Sequence, residues 1–561
     1  MDWMLDWDPE VGLWWRTGTP GHTRATATLT RMHSVPDAAC KLLAAAQAAE
    51  LDSLPVAEVV ATIRRHQETR PENRAYGCIR WYAEDPEVDD INAGFFTTLP
   101  LLLLKLCYSR KMPAAALSDM DHIFRDAIHW FRKETGEIGP MNYPNKFLGG
   151  LVCHWLLTEV LDAKEDVPAL ADRMRVAGAY YREGWGFGEH MSDTYCGVLL
   201  DELSALLCAA TRLPPDLKAL YSELLNQLVA IEDAFDGGPR VPKIRSYSYV
   251  TSPTHLLRYR HKVQAYQYRK DEDLLAQWIR VKTGPLLNER GWHSLVGPAL
   301  PPQREVVIPC FDGAKATAAV ESDIRIGSLS RFPLMINTEG QHAQSFPVCF
   351  WRPEGDWGFL QWSAVENGQE VGLPMLHAYS ALTPKVLTKS VRPALAGKTY
   401  AVQKGGDMVV FRKMPGLVRS WARVSDGLRL VNGHAQVTER ASGERWWQLL
   451  LDYPGRQVSV HHVEIMPDLY PAARLKPRLE TVSPTVQDWK VSADEKVLNG
   501  VGELFLLWAF SLAGEVREPP RIRAWRDGRT PEMRWDIEWQ WPGIKWRLRV
   551  DPHGPEPLRE V

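Results

Sequence analysis

Residues 184–203 read GWGFGEHMSDTYCGVLLDEL. Three glycines and two aromatics lead to Glu189, His190, Asp193 and Tyr195, and an apolar helical run begins immediately after. Imidazole and phenol are proton-transfer groups once their surroundings tune them. Gly184, Gly186 and Gly188 permit a close approach of backbone to a ligand. His190 and Tyr195 are five positions apart, so on an unbroken helix they diverge by about 140° of arc. They share a target only if His190 lies at the helix mouth and Tyr195 in its first turns. Asp193 is spaced to orient His190. The plain alternative for this stretch is helix capping.

Three further segments carry compatible chemistry. GPMNYPNKFLGG (139–150) places Asn142, Tyr143, Asn145 and Lys146 on a Gly/Pro-rich loop before a helix that passes through His154, Trp155 and Glu159. GGPRVPKIRSYSY (237–249) places Arg240, Lys243 and Arg245 beside Tyr247 and Tyr249, with Pro239 and Pro242 arguing against helix. Arginine forks a carboxylate or sulfate, and tyrosine adds a hydroxyl and a stacking face. EDPEVDDINAGFF (84–96) holds Asp89, Asp90 and Asn92, which capping explains well.

Neutral amides, histidine, tyrosine and arginine together suit β-elimination at a uronic acid. The C5 proton of such a sugar lies α to a carboxylate and is barely acidic. Asn or Arg donors that neutralise the carboxylate stabilise the enolate-like transition state. A neutral histidine or a tyrosinate takes the proton, and a tyrosine O–H protonates the departing glycosidic oxygen. A nearby arginine favours the phenolate. This chemistry requires no cofactor and no metal, and the sequence holds no HExxH. A structural divalent cation between strands would leave no readable trace.

These residues must be positioned by two halves of different character. Helical periodicity runs over 36–52, 56–66, 92–109, 117–133, 145–162, 167–182, 191–211, 216–232 and 271–283, with short links. Consecutive helices with short links pack as antiparallel hairpins, which can curl into a toroid around a cleft. After about residue 300 the chain turns to short β-branched and aromatic runs separated by turn signals such as KGGD, VNGH and ASGE. The expected fold is α+β and multidomain: an N-terminal (α/α) toroid of helical hairpins followed by antiparallel β-sandwich domains. The expected boundaries are a Trp-rich N-terminal segment over 1–36, the toroid over 37–290, a sandwich over 291–483 and a C-terminal β region over 484–561. PPRIRAWRDGRTPEM (519–533) reads as a hairpin loop. His461 and His462 alternate on a strand and so face opposite sides; one of them, or His342 or His377, is spaced to reach the cleft.

Composition sets the bounds. The chain has 561 residues, 45% apolar and 24% charged, with a formal net charge of −3. That is an ordinary globular composition with no general reason to expect nucleic acid. The 23 tryptophans suit sugar-stacking platforms as well as core packing. The eight cysteines form no CxxC and read as small buried hydrophobes. The N-terminus MDWMLDWDPEVGLWW carries acids where an export signal has basic residues, and the apolar run FFTTLPLLLLKLCY is too short to span a bilayer. The chain therefore reads as cytoplasmic, or as secreted if an export signal has been trimmed, with no membrane partner and no oligomeric state legible.

The helical half followed by antiparallel β structure resembles the polysaccharide lyases that join an (α/α) toroid to a β-sandwich: the hyaluronate/chondroitin, heparinase II/III-like and alginate-lyase groups. The order Asn loop, Gly/aromatic-x-x-His with a following Tyr, then a late Arg/Tyr segment is similar to theirs. The resemblance implies that Asn142 or Asn145 neutralises the substrate carboxylate, that His190 and a tyrosine are base and acid, and that Arg240 or Arg245 holds the anion. Nine residues after His190, where the hyaluronate-lyase pattern has its tyrosine, stands Leu199, with Tyr195 nearby. Arg240 and Tyr247 have the seven-residue spacing of the alginate-lyase pattern. The tyrosine is therefore Tyr195 or Tyr247. Trp185, Glu189, Asp193, Lys146, Tyr249 and Tyr143 are the expected substrate-binding residues, and the substrate is an acidic, uronate-containing glycan. The rival readings are a glycoside hydrolase with paired carboxylates drawn from Glu189, Asp193, Asp89 and Asp90, and a non-catalytic glycan binder.

Overall fold

A computed structural model describes residues 6–17, 31–47, 49–136, 141, 143–235, 240–243, 303–310, 313–331, 347–351, 357–366, 369–371, 398–414, 423–431, 436–441, 445–453, 455–465, 475–494, 504–514, 516–526 and 533–561. Among them, four short strands, β1 (Trp7–Asp8), β2 (Leu13–Trp14), β3 (Arg16–Thr17) and β4 (Arg31–Met32), make two small hairpin-like pairs ahead of the helices.

Eight α-helices follow: α1 (Val35–Gln47), α2 (Val56–Arg65), α3 (Ala93–Tyr108), α4 (Ala114–Glu134), α5 (Pro144–Leu161), α6 (Val167–Gly184), α7 (Asp193–Ala209) and α8 (Pro215–Ala234). Each overlaps a segment of helical periodicity. The ninth, expected over 271–283, lies outside the described residues. Local chemistry sets the ends. Proline opens α5 and α6 within the first turn, where its missing N–H costs nothing. Ser192 caps α7, its hydroxyl accepting from the Tyr195 N–H at 3.4 Å. The helix α5 stops at Asp162 in the left-handed region, φ +54°.

Odd-numbered helices pack in one row, α1 on α3, α3 on α5 and α5 on α7; even-numbered helices flank them, α2 on α4 and α6 on α8. Two rows of this kind are what a toroid is built from. The described helices form the rows, and a closed ring is not shown among them. The inner helices α3 and α5 are buried on nearly every face. Close approach needs glycine: a Cβ on Gly149 of α5 would lie 2.6 Å from Glu202 Oε1 of α7 and 2.7 Å from the Phe95 ring of α3.

The second half is antiparallel throughout the described strands. It contains β5 (Gln303–Pro309), β6 (Lys315–Glu321), β7 (Ile324–Leu329), β8 (Val348–Trp351), β9 (Trp357–Glu366), β10 (Gln369–Val371), β11 (Lys398–Lys404), β12 (Asp407–Met414), β13 (Arg423–Val431), β14 (Gln436–Ala441), β15 (Trp446–Tyr453), β16 (Arg456–Val463), β17 (Arg478–Ser483), β18 (Val486–Asp494), β19 (Leu504–Ser511), β20 (Arg521–Arg526), β21 (Met533–Trp541), β22 (Ile544–Val550) and β23 (Leu558–Glu560). A nine-stranded sheet runs β17-β18-β13-β9-β8-β7-β6-β5, with β10 beside β9. A six-stranded sheet runs β11-β12-β19-β16-β15-β14, and a four-stranded sheet runs β20-β21-β22-β23.

The three sheets stack in layers. Trp362 and Trp489 of the nine-stranded sheet meet Trp508 of the six-stranded sheet edge-on, at 6.0 and 5.4 Å between ring centres. On its other face the six-stranded sheet meets the four-stranded one through Trp446–Trp539 (6.3 Å) and Phe505–Trp535 (6.4 Å). The six-stranded sheet is therefore covered on both faces. Within the first interface Arg412 forks Asp426 at 2.7 and 2.6 Å and lies 4.4 Å over Trp362, with both charged side chains fully buried.

Three expectations are corrected by this layering. His461 and His462 do face opposite sides of β16, but neither reaches a cleft. His461 is stacked on Trp446 and accepts its indole N–H at 3.2 Å, while His462 stacks on Trp447. The boundary at 484 cuts the β17–β18 hairpin, and β18 and β19 belong to the two larger sheets; the small sheet starts at β20. Residues 521–526, expected in a loop, form its edge strand. His342 and His377 lie outside the described residues.

Candidate functional site

The junction of the two halves is where β5 and β7 meet the ends of the helices. Arg304 Nε donates to the Ala234 carbonyl at 2.6 Å, and Arg325 Nη2 donates to the Phe235 carbonyl at 2.9 Å. Gly327 of β7 sits so close to the 240–243 segment that a Cβ would lie 2.4 Å from the Val241 carbonyl oxygen. Gly184, φ +155°, lies equally close to Cys310, with a Cβ placed 2.7 Å from that carbonyl. Only glycine fits either position without displacing backbone.

Into this junction the chain directs a short 3-10 turn, Gly186–Met191, between α6 and α7. It follows Trp185, a non-glycine residue at φ +24°. Strained backbone of this kind persists only where its surroundings fix it. His190 is fully buried at the end of the turn, and its Nε2 lies 3.1 Å from the Pro309 carbonyl oxygen. A carbonyl only accepts, so Nε2 carries the hydrogen and Nδ1 carries the lone pair. Among the described residues Nδ1 has no hydrogen-bond partner. Burial, with a smaller contribution from the Arg240 charge, holds the imidazole's pKa down at about 3. The ring is neutral at pH 7, with its lone pair on the buried Nδ1.

Arg240 is itself buried and donates from Nη2 to the Cys196 sulfur on α7 at 3.1 Å. The Cys310 sulfur lies 3.6 Å from His190 Nε2, and burial pushes that thiol up to about 12, so it is no thiolate nucleophile. Lys243 is buried beside Arg240 in sequence.

Glu189, also fully buried, turns back to α5. It accepts the Asn145 backbone N–H at 2.6 Å and, through its other oxygen, the Asn145 side-chain amide. Its charge sits at the N-terminus of α5, where the helix dipole favours an anion. The segments carrying Asn145, Glu189–His190, Tyr195 and Arg240 thus meet at one junction.

Several expected roles change. Asn145 does neutralise a carboxylate, but it is the protein's own Glu189. Trp185, expected as a substrate-binding residue, is 2% exposed and stacks on Tyr181 at 5.2 Å and on His190 at 6.4 Å between ring centres. Lys146 is ion-paired with Glu134 at 2.9 Å. Asp90 accepts the Asn92 N–H at 2.9 Å in a turn just ahead of α3, whose N-cap Asn92 makes no side-chain capping bond. Tyr143 and Tyr195 are half-buried. Asn142, Arg245, Tyr247 and Tyr249 lie outside the described residues, as does the side chain of Asp193. His154, downstream of the Asn loop, bridges Thr135 (2.8 Å) and Asp166 (3.2 Å), a buried tie between α4, α5 and the start of α6.

The sequence offered no sign of Pro309 or Cys310, which reach His190 from more than a hundred positions away. The signal for Ser192 was present, a serine directly ahead of a helical run. Glu202 had a weaker one, an acid pair inside the apolar stretch LLDELSALL. It is fully buried, and neither of its oxygens has a hydrogen-bond partner among the described residues. Beside the junction a cavity of about 270 Å³ opens between α6, α8 and β5, lined mainly by Trp185, Ile231, Val306 and Ile308. Its lining is mainly apolar, with Arg182 and Gln227 among the polar side chains. Among the described residues no group of three or more His, Cys, Asp or Glu side chains is arranged to hold a metal ion, and no helix is long and apolar enough to cross a membrane.

No protein-family model matches the chain. No curated protein matches it either. Among solved structures it is similar to heparinase III, at TM-score 0.36 and 10% identity over 92% of this chain and 84% of that one. A lysine-methylated form of that protein gives TM-score 0.34 and 10% identity over 91% and 82%.

Proposed function

We propose that this protein is a lyase that cleaves a uronate-containing glycan by β-elimination, with His190 as the base. The single observation that carries this reading is the state of His190: a neutral imidazole whose Nε2–H is committed to Pro309, whose buried Nδ1 has no hydrogen-bond partner among the described residues, and whose neighbour is a buried arginine. Arg240 supplies the positive charge that an enolate-like intermediate requires. Tyr195 or Tyr247 returns a proton to the leaving oxygen. Asn142 and Arg245 are the remaining candidates to hold the sugar carboxylate. Asn145 acts as a positioning residue, through Glu189, on the turn that carries the base. Because His190 is buried, substrate reaches Nδ1 only when that turn opens.

The hydrolase reading has lost ground. Both Glu189 oxygens are engaged by Asn145, and Asp90 accepts the Asn92 N–H in a turn. The test is an ultraviolet-absorbance screen against glucuronate, galacturonate, mannuronate and sulfated-uronate glycans. A lyase leaves an absorbing conjugated double bond and takes up no water. Saturated, hydrated ends would overturn the proposal.

A further inference from the structure

The outer face of the four-stranded sheet carries a density of arginine that neither its packing nor the proposed chemistry at the junction explains. The inner face, Trp535, Ile537, Trp539 and Trp541 of β21 with Trp546, Leu548 and Val550 of β22, is buried against the six-stranded sheet. Strand alternation sends the intervening residues outward. In register, one outward row reads Arg521, Glu538, Arg547, and the next reads Arg523, Asp536, Arg549, Arg559. Arg534 and Lys545 share that face at neighbouring positions.

Three of these cations, Arg523, Arg534 and Arg549, have partners. Asp536 holds Arg549 at 2.8 Å, and Asp551, just past β22, holds Arg534 at 3.1 Å. The remaining four cations, Arg521, Lys545, Arg547 and Arg559, are all exposed and share the face with one carboxylate, Glu538. Arg521, Lys545, Arg547 and Arg559 make no ion pair among the described residues. The excess of three positive charges stands on a chain whose formal net charge is −3. Charged residues do protect sheet edges from aggregation, but an edge needs them on β20 or β23 only. Here the interior strand β22 carries them too, and the outward cations are arginine in all but one case.

We propose that this face is a docking surface for an acidic glycan, separate from the junction and separated from it by the other two sheets. The choice of glycan rests on the function proposed above. Guanidinium groups fork carboxylates and sulfates. On a sheet they repeat about every 7 Å along a strand and about 10 Å between β20 and β22, a grid that suits an extended chain with regularly spaced anions. The face holds polymer while the junction acts on it.

The test measures binding of the intact protein to immobilised heparin and to polygalacturonate, independently of turnover. The triple variant Arg521→Glu/Arg547→Glu/Arg559→Glu is compared with Arg110→Glu/Lys111→Glu, which alters exposed charge on the helical half. The expected result is about tenfold weaker binding and a reduced salt dependence for the sheet variant alone, with turnover of a short oligosaccharide unchanged. Equal weakening in both variants, or no weakening in the sheet variant, overturns the proposal. So does duplex DNA or an anionic vesicle that binds the face more tightly than either glycan. A protein that binds glycan through this face but turns over no glycan leaves the docking surface standing and removes the lyase reading.

Discussion

His190 Nε2 donates to the Pro309 carbonyl across 119 residues of sequence, at 3.1 Å. That bond fixes which nitrogen keeps its lone pair, and so which one would serve as the proposed base. Replacement by glutamine can keep a donor toward Pro309 while removing the basic nitrogen. His190→Gln is expected to remain folded and to lose about 10²- to 10⁴-fold in turnover. Initial rates of ultraviolet product formation, with circular dichroism as the folding control, check this; a variant with near wild-type rates removes His190 from the chemistry.

Asn145 satisfies both oxygens of a buried carboxylate. Asn145→Ala leaves the backbone N–H in place but removes the amide that donates to the other Glu189 oxygen, at a cost of about 1–3 kcal/mol. Because it positions the 186–191 turn, the variant should lower kcat more than it raises KM. Urea denaturation and steady-state kinetics report the two effects; a rise in KM alone would mean that Asn145 contacts substrate directly.

Burial holds His190, His461 and His462 at a pKa of about 3. The unfolded chain takes up protons on these groups below about pH 6.5, where the folded chain does not. Their contribution is complete above that pH and is lost as pH falls toward 3. At pH 5 each costs about 2 kcal/mol. His462→Phe, stacked on Trp447 and beside Trp508, should lose less stability than wild type between about pH 7 and pH 5. Identical losses in the two proteins would show that His462 is not held neutral.

Glu202 behaves in the opposite sense. Burial, reinforced by the neighbouring Asp201 charge, holds its pKa well above the usual carboxylate range. The folded chain keeps a proton that the unfolded chain releases, so stability is full below the ordinary carboxyl pKa and falls as pH rises above it. Glu202→Gln is expected to raise the melting temperature at about pH 8 more than at about pH 4.5. A gain independent of pH would contradict a protonated Glu202.

Arg412 and Asp426 form a fully buried pair in the sandwich. Arg412→Met strands the aspartate and should cost about 3–5 kcal/mol, whereas Arg412→Met/Asp426→Leu should recover most of it. Chemical denaturation of the two variants decides; equal destabilisation would mean that the pair's geometry, rather than its uncompensated charge, governs the site.

Much of the architecture was legible along the chain. Helical spacing marked all eight described helices, because the period of apolar residues records which face is buried whatever it is buried against. Proline at the openings of α5 and α6 and serine before α7 fixed their starts by local hydrogen bonding. Alternating β-branched and aromatic runs marked the strands for the same reason. A strand's pattern says that both of its faces are apolar, but not which sheets cover them. So His461 and His462 looked like residues with one free side until a third layer covered β16, and residue 484 looked like a boundary although β18 pairs back to β13.

The site followed the same division. The sequence by itself set the chemical types: an imidazole beside a glycine-rich turn, an amide loop, and an arginine flanked by prolines. Tertiary structure decided their partners. Asn145 found Glu189 from 44 positions away, Arg240 found Cys196 from 44, and His190 found Pro309 from 119. Local propensity acts over a few residues, while a hydrogen bond in the interior depends on where the chain returns after whole helices and sheets have packed. Only that return path determined that the imidazole is neutral, that its Nδ1 keeps the lone pair, and that the asparagine is spent on the protein itself.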